Sequence, residues 1–450
     1  MYKKILVAAR GEIALRIIRA CRELDIRTVA VHSEADVESL HVKLADEDVC
    51  IGRAQPVESY LNIPRLIAAA EITGADAIHP GYGFLAESPY FAEVCISCKI
   101  EWIGPSPALM EKMGDKAMAR RLMSEAGLPI IPGSEGVVEG EEKALDSASA
   151  IGYPLMIKAV AGGGGRGIRI VRSEDELVSL FRTAGKEAEA AFGDGGLYLE
   201  KYVEAPRHIE VQIFGDGKGD AMHFHERECS IQRRHQKLVE ESPSPGISRD
   251  TREKILEYAV EGARHIGYGS LGTMEFLVDS SANVYFLEMN TRVQVEHPVT
   301  EMVTGVDLIK EQIRMASSGE SPVFGKKIPL RGHAIECRIN AEDTEKGFKP
   351  SPGNITFYHP PGGPGVRVDS HLYDGYTVPP YYDSLLAKII TWGETREEAR
   401  RRMIRSLEEC VIEGVPTTIP FHLWILEHSS FISGDFDTSF IDREHGGRGR

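Results

Sequence analysis

Apolar and polar positions in the first hundred residues switch repeatedly between two periods. Residues 4–9 are a strand-length apolar run, after which Ile13, Ile17, Ile18, Cys21 and Leu24 recur at helical spacing before a second apolar run at 28–31. This predicts a β-α-β opening. The pattern continues with a helix over 64–73, a short strand at 77–79, the loop Pro80-Gly81-Tyr82-Gly83-Phe84, another helix and a strand at 101–103. Alternating strands and helices imply a parallel, doubly wound sheet. The first turn reads Ala8-Ala9-Arg10-Gly11-Glu12 and lacks the Gly-x-Gly-x-x-Gly that close approach to a dinucleotide pyrophosphate needs, so the unit is Rossmann-like without an NAD signature.

Gly104-Pro105-Ser106-Pro107 punctuates this unit, and a helical connector carrying Lys116 follows. A smaller unit begins near 129–133. It reads as a strand at 153–159 with Lys158 near its end, a glycine loop at 162–167, a return strand at 168–171, an amphipathic helix at 174–192 and a final strand at 197–203. A small unit inserted between larger ones is suited to move as a lid. Beyond it the pattern predicts strands at 209–214, 221–225, 272–277 and 283–287, with helices around 251–266 and over 308–317. After the polar stretch 317–329, short strands at 333–339, 354–358, 366–369 and 385–391 precede a charged helix at 396–413. The fold class is thus mixed α/β and α+β. It divides into a Rossmann-like N-terminal domain at 1–113, a second domain at 114–330 with a mobile lid at about 130–203, a mostly β C-terminal domain at 331–445 and a flexible tail at 446–450.

Composition narrows the class. At 450 residues, with 42% hydrophobic and 27% charged residues, the chain has the make-up of a multidomain globular protein. No apolar run approaches the roughly 18 residues of a membrane span, and the start passes into a strand pattern without a secretory signal, so a cytoplasmic protein without membrane contact is expected. A net charge of −16 argues against a general nucleic-acid surface, although Arg233-Arg234-His235-Gln236-Lys237 is locally basic. Seven scattered cysteines fit a reducing compartment. Cys95 and Cys98 form one Cys-x-x-Cys without the further ligands of a zinc site and read as packing thiols.

Candidate chemistry centres on residues 288–296, Glu-Met-Asn-Thr-Arg-Val-Gln-Val-Glu. Glu288 ends the apolar run Val284-Tyr285-Phe286-Leu287, where an unpaired carboxylate is costly. Glu275 lies in a second such run. Two carboxylates and the Asn290 amide on adjacent strands are hard oxygen ligands of the kind Mg²⁺ takes beside phosphates. Arg292 adds a planar donor fork and Glu296 a base. The alternative is a structural ion-pair network. The glycines at 162–167 suit a loop closing over phosphates, but a glycine-tipped hairpin gives the same pattern, so that loop alone leaves nucleotide binding open. Lys116, Lys158 and Lys237 could converge on a polyphosphate as point charges.

Lys116, Lys158 before the glycine loop, Glu200-Lys201-Tyr202-Val203, Glu275, Glu288 and Asn290 together resemble the ATP-grasp layout. More narrowly, Arg10-Gly11-Glu12-Ile13-Ala14, His79-Pro80-Gly81-Tyr82-Gly83-Phe84-Leu85, Arg233-Arg234-His235-Gln236-Lys237 and residues 288–296 followed by His297-Pro298-Val299-Thr300-Glu301 resemble the biotin carboxylases, from residue 3 to about 440. The resemblance makes 114–330 an ATP-grasp domain and implies ATP- and bicarbonate-dependent carboxylation of biotin through carboxyphosphate. It places ATP against Lys116, Lys158, Gly164, Gly165, Glu200, Lys201, Val203, His208, Gln232 and His235. Glu275 and Glu288, assisted by Asn290, would hold Mg²⁺, with Mn²⁺ an admissible substitute. Bicarbonate would meet Lys237, Arg292, Gln294 and Val295, and biotin would meet Tyr82, Gly83 and Arg338. Arg292, Glu296, Lys237 and Arg338 are the implied catalytic residues. Biotin is expected on a separate carrier protein, since no Ala-Met-Lys-Met segment occurs. A carboxyltransferase subunit and a homodimer are also implied. The final acceptor stays open among acetyl-CoA, another acyl-CoA and pyruvate, as in acetyl-CoA or pyruvate carboxylases. Another ATP-grasp ligase, or a nucleotide-binding subunit without turnover, is the more distant reading. Ala9, where many relatives carry Asn, and Ala161, in place of a first loop glycine, depart from the family pattern without removing a charged position.

Overall fold

Alternation of strand and helix at the N-terminus yields a parallel sheet in the computed structural model, which describes residues 1–134, 136–159, 168–192 and 195–445. The predicted glycine loop at 162–167, with Gly164 and Gly165, and the tail at 446–450 lie outside the described residues. Two units are distinguished. The first is Met1–Gly127, Arg207–Phe276 and Glu288–Arg450, and the second is Leu128–Pro206 and Leu277–Leu287.

The parallel sheet comprises β1 (Lys4–Val7), β2 (Arg27–Ser33), β3 (Glu47–Gly52), β4 (Ala77–His79) and β5 (Glu101–Trp102), in the order β3-β2-β1-β4-β5. Its faces follow the two-residue period of a strand. Leu6 packs with Val29, Val31, Ile78 and Phe91, while Ile5 and Val7 meet Ile13 and Ile17 of the helix Gly11–Glu23. Gly81, at φ +62°, lets the loop after β4 approach the first turn, since a Cβ there would come within 2.9 Å of the Ala9 Cβ.

The second unit has its own sheet, β7-β6-β8, built from β6 (Leu155–Ala159), β7 (Ile168–Val171) and β8 (Leu197–Lys201). Leu155, Ile157, Leu197 and Leu199 pack there against Leu177 and Phe181 of the helix Glu174–Phe192. The final strand, expected to reach residue 203, stops at Lys201, ahead of Ala205 in a left-handed conformation at φ +43°.

The largest sheet joins β9 (Arg207–Asp216), β10 (Ala221–Arg233), β11 (Gln236–Ser242), β12 (Gly269–Val278), β13 (Val284–Asn290), β14 (His333–Asn340), β19 (Val366–Ser370) and β21 (Leu385–Gly393) in the order β13-β12-β9-β10-β11-β14-β21-β19. Smaller ribbons pair β15 (Glu342–Asp343) with β16 (Lys349–Pro350), β17 (Gly353–Asn354) with β20 (Thr377–Val378) and β18 (Phe357–His359) with β22 (Val411–Glu413). The region expected to be mostly β therefore feeds strands into the same sheet as β9–β11, and its helices Arg396–Glu409 and Ile419–Glu427 cover one face. Met403, Leu407, Phe421 and Ile425 pack there on Ile335, Cys337, Ile339 and Ile389. On the opposite face Ala334 and Ile390 meet Val299 and Val303 of the helix His297–Thr304.

Three sequence expectations need correction. The strand placed at 221–225 continues to Arg233, and β11 was not anticipated, because charged residues interrupt both runs although most of their side chains are buried. The helix placed at 396–413 ends at Glu409, where Cys410 turns extended and β22 begins. The strand placed at 354–358 is divided between β17 and β18. Among the described residues no helix is long and apolar enough to cross a membrane.

Candidate active site

A row of buried charges crosses the large sheet. In β9 the alternation His208, Ile209, Glu210, Val211, Gln212 puts the polar members on one face, and all of them are buried. Arg227 of β10 is fully buried and donates to Glu210, to Gln212 Oε1 at 2.8 Å, to Thr300 Oγ1 at 3.0 Å and to Thr273 Oγ1 at 3.1 Å. From β11 the Lys237 ammonium donates to Glu210, to Glu275 Oε1 at 2.9 Å and to Glu296 Oε1 at 2.7 Å. Burial would lower its pKa, but the three carboxylates outweigh it and hold the lysine well above its ordinary value.

Glu296 follows β13 and directly precedes the helix His297–Thr304, and its side chain is fully buried. One oxygen faces Lys237, and the other accepts from Arg338 at 2.9 Å. Against the upward push of burial, Lys237, Arg338 and Arg227 hold its carboxyl well below the usual range. Arg338 also donates through Nε to Glu240 Oε1 at 2.6 Å. Arg292 donates to Glu87 Oε2 at 2.9 Å, Gln294 Oε1 at 2.7 Å and Asn290 Oδ1 at 3.2 Å. Gln294 in turn donates to Glu275 Oε1 at 3.1 Å. The structure thus brings Lys237, Glu275, Asn290, Arg292, Gln294, Glu296 and Arg338 into one connected network, with the Val295 carbonyl accepting from Lys388 at 2.8 Å.

Glu275 and Glu288 end in the same region on neighbouring strands. Burial raises the pKa of Glu288 and the charge of Glu275 raises it further, while its ion-pair partner Lys116, 3.8 Å away, is largely exposed. Two crowded carboxylates with little counter-charge at one of them fit a hard divalent cation such as Mg²⁺. Asn290 turns its nitrogen to Glu275 at 2.8 Å and its oxygen to Arg292.

Of the other sequence candidates in this unit, His208 Nε2 lies 2.8 Å from Glu275 Oε2. Gln232 pairs with Lys237 across the β10–β11 hairpin, whose tip residues Arg234 and His235 both adopt left-handed backbone at φ +49° and +65°. Such a tip normally takes Asn or Gly, so Arg234 and His235 hold strained backbone there. Tyr82 donates its hydroxyl to Glu12, and Gly83 at φ +74° faces open space. In the second unit Lys158 pairs with the buried carboxylate of Glu200, Lys201 donates to the carbonyls of Gly152 and Tyr153 at 3.3 and 2.8 Å, and Val203 is buried. Sequence reading missed Glu87, Glu210, Arg227, Glu240, Glu336 and Lys388. For Glu210 the signal is present in the polar alternation of β9, within the strand predicted at 209–214.

The chain is similar to known proteins over nearly its whole length. Residues 1–110 match the biotin carboxylase N-terminal domain, 115–321 the carbamoyl-phosphate synthase L chain ATP-binding domain and 336–443 the biotin carboxylase C-terminal domain. A biotin carboxylase of Nostoc sp. is 58% identical over 440 residues, covering 98% of both chains. The crystal structure of a biotin carboxylase β,γ-ATP complex from Campylobacter jejuni superposes with a TM-score of 0.92 at 50% identity, covering 99% of each chain. The biotin carboxylase domain dimer of Hydrogenobacter thermophilus 2-oxoglutarate carboxylase, solved with MgADP, ADP and bicarbonate, gives 0.91 at 51% identity, covering 100% of this chain and 99% of that one. With the domains matched in order and relatives similar end to end, this chain belongs to the biotin carboxylase family.

Proposed function

We propose that this chain carboxylates biotin at the expense of ATP and bicarbonate, the first half-reaction of a biotin-dependent carboxylase. The observation that carries the site assignment is the clamping of buried Glu296 between Lys237 and Arg338, with Arg292 and Gln294 alongside. Bicarbonate is a weak nucleophile, and Glu296 is the base that takes its proton as an oxygen attacks the γ-phosphorus of ATP, giving carboxyphosphate and ADP. Lys237 and Arg292, with Gln294 and the Val295 backbone, orient that anion. Ionised Glu296 is a weak base while both cations face it. Each cation that turns to a substrate leaves it more basic, so binding itself prepares the proton transfer. Carboxyphosphate breaks to CO₂ and phosphate, the phosphate removes the N1′ proton of biotin, and N1′ attacks CO₂. Arg338 stabilises the negative ureido oxygen formed in that step, and Tyr82 and Gly83 line the ring. Mg²⁺ held by Glu275 and Glu288, with Asn290 beside them, would neutralise charge on the phosphoryl group.

Lys116, His208, Gln232 and His235 in one unit, and Lys158, Gly164, Gly165, Glu200, Lys201 and Val203 in the other, are the proposed ATP contacts. The domain division at 1–113, 114–330 and 331–445, with its lid, is retained as part of this proposal. Biotin arrives on a carrier protein, the carboxyl group passes to a carboxyltransferase, and the working form is a cytoplasmic homodimer. Relatives named for different acceptors share the half-reaction, so the acceptor is set by the partner. The test is ATP cleavage by the purified chain. It should depend on bicarbonate and accelerate with free biotin, and no response to biotin would overturn the assignment.

A further inference from the structure

Glu12 and Lys388 stand outside every role given above. Lys388 is fully buried on β21, opposite Arg338 in the β14–β21 register. Its ammonium lies 3.1 Å from Glu12 Oε1, donates to the Val295 carbonyl at 2.8 Å and sits 6.0 Å from the centroid of the Tyr82 ring. Glu12, 3% exposed, accepts the Tyr82 hydroxyl on that same Oε1, while its Oε2 is buried without a hydrogen-bond partner among the described residues. A pair built for stability alone would satisfy both carboxylate oxygens, because an orphaned buried acceptor is costly. Here Glu12 crowds Tyr82 and Lys388 onto one oxygen. Four segments remote in sequence meet at this ammonium: the first helix, the loop after β4, the loop after β13, and β21.

We propose that Lys388 and Glu12 are positioning residues that fix the Tyr82 hydroxyl and the Val295 carbonyl relative to each other, tying the biotin wall of the site to its bicarbonate wall. This rests on the reading of Tyr82 and Val295 given above. A buried ammonium and carboxylate suit the task because their hydrogen bonds are strong and directional in a low-dielectric interior, and small displacements at a reacting centre are costly in rate.

The experiment is steady-state kinetics on the full chain with free biotin, bicarbonate and ATP varied in turn, alongside thermal unfolding. Glu12→Gln should raise KM for biotin about tenfold and KM for bicarbonate less than about twofold. Lys388→Met should raise both about tenfold, with KM for ATP within about twofold. The double variant removes both charges without leaving one unpaired, which guards against a misfolded single variant, and should match Lys388→Met rather than the sum of the two, as expected for one coupled device. A lowered Tm with all KM values unchanged, or a parallel rise that includes ATP, would mean a purely structural pair and overturn the proposal. Tyr82→Ala separates the two levels. If it leaves KM for biotin unchanged, the biotin-wall reading fails. If it raises that KM while Glu12→Gln and the double variant do nothing, the positioning role fails.

Discussion

The two sheets of the larger unit bury their strands by opposite rules. In the parallel sheet Ile5, Leu6, Val7, Val29, Ala30 and Val31 are all sealed from solvent, and helices supply apolar contacts on both faces. In the antiparallel sheet the face under the helices Arg396–Glu409 and Ile419–Glu427 is mainly apolar, with Glu241 buried there against Arg396 and His333, while the other buries Glu210, Arg227, Glu296, Glu336 and Lys388. Burying a charge is tolerated only when a partner compensates it, so that face is a network in which most residues answer to several others. The parallel sheet provides rigidity, and the antiparallel sheet provides fixed charge where chemistry needs it. Glu336 marks the limit of compensation. Both its oxygens lack hydrogen-bond partners among the described residues, and burial drives its carboxyl well above the usual range, toward the neutral form.

The contrast is broken most directly by one substitution in each sheet. Lys237→Met should cut bicarbonate-dependent ATP cleavage by about 10³-fold and also destabilise the fold, because three carboxylates lose their shared cation. Leu6→Ala should cost about 2–5 kcal/mol in denaturant unfolding and leave kcat and every KM unchanged well below Tm. Kinetic damage from Leu6→Ala would erase the distinction. Arg338→Ala should reduce biotin carboxylation about 10²-fold, and biotin-independent ATP cleavage by clearly less. Equal losses would move Arg338 to an earlier step.

The N-terminal region buries charge as well, at Arg10, Glu12, Arg16 and Asp36, and Asp36 sharpens the comparison. Asp36, just after β2, accepts from Arg10 at 2.8 Å on both oxygens and from Tyr60 at 2.6 Å. Burial would raise its carboxyl, but the Arg10 guanidinium holds it far below the ordinary value. A carboxylate depressed in the folded state contributes stability that is complete above its unfolded pKa of about 4 and is lost as pH falls below it. Asp36→Asn should therefore cost about 2 kcal/mol at neutral pH and progressively less below about pH 4, as followed by urea unfolding across pH. A constant difference would show that its charge is not what matters. The smallest effect is expected at Glu288, where Glu→Gln should raise the Mg²⁺ requirement about tenfold in an activity titration. An unchanged titration would remove it from the metal site.

Much of the parallel sheet was legible because its apolar runs and helical spacing repeat without interruption, and β1, β2, β4 and β5 fall where the pattern puts them. β3 was not legible, since its Glu, Asp and Cys positions break the run. β11 was lost for a related reason. Gln236, Lys237, Glu240 and Glu241 read as surface, yet apart from the exposed Gln236 they are enclosed by partners drawn from β9, β12, β14, the loop after β13 and the helix Arg396–Glu409.

By itself the sequence determined the two kinds of region and the conspicuous motif at 288–296, and it marked acids and cations as candidates for ATP, Mg²⁺ and bicarbonate, because those depend on residue type and local spacing. Only the tertiary structure decided that Lys237 stands among Glu210, Glu275 and Glu296, that Arg338 closes on the far oxygen of Glu296, and that Lys388 joins Glu12 to Val295. These groups come from different strands of the large sheet, from the loop after β13 and from the first helix, and are remote in the chain. Their charge states follow from burial and from each other's fields, neither of which a one-dimensional pattern contains.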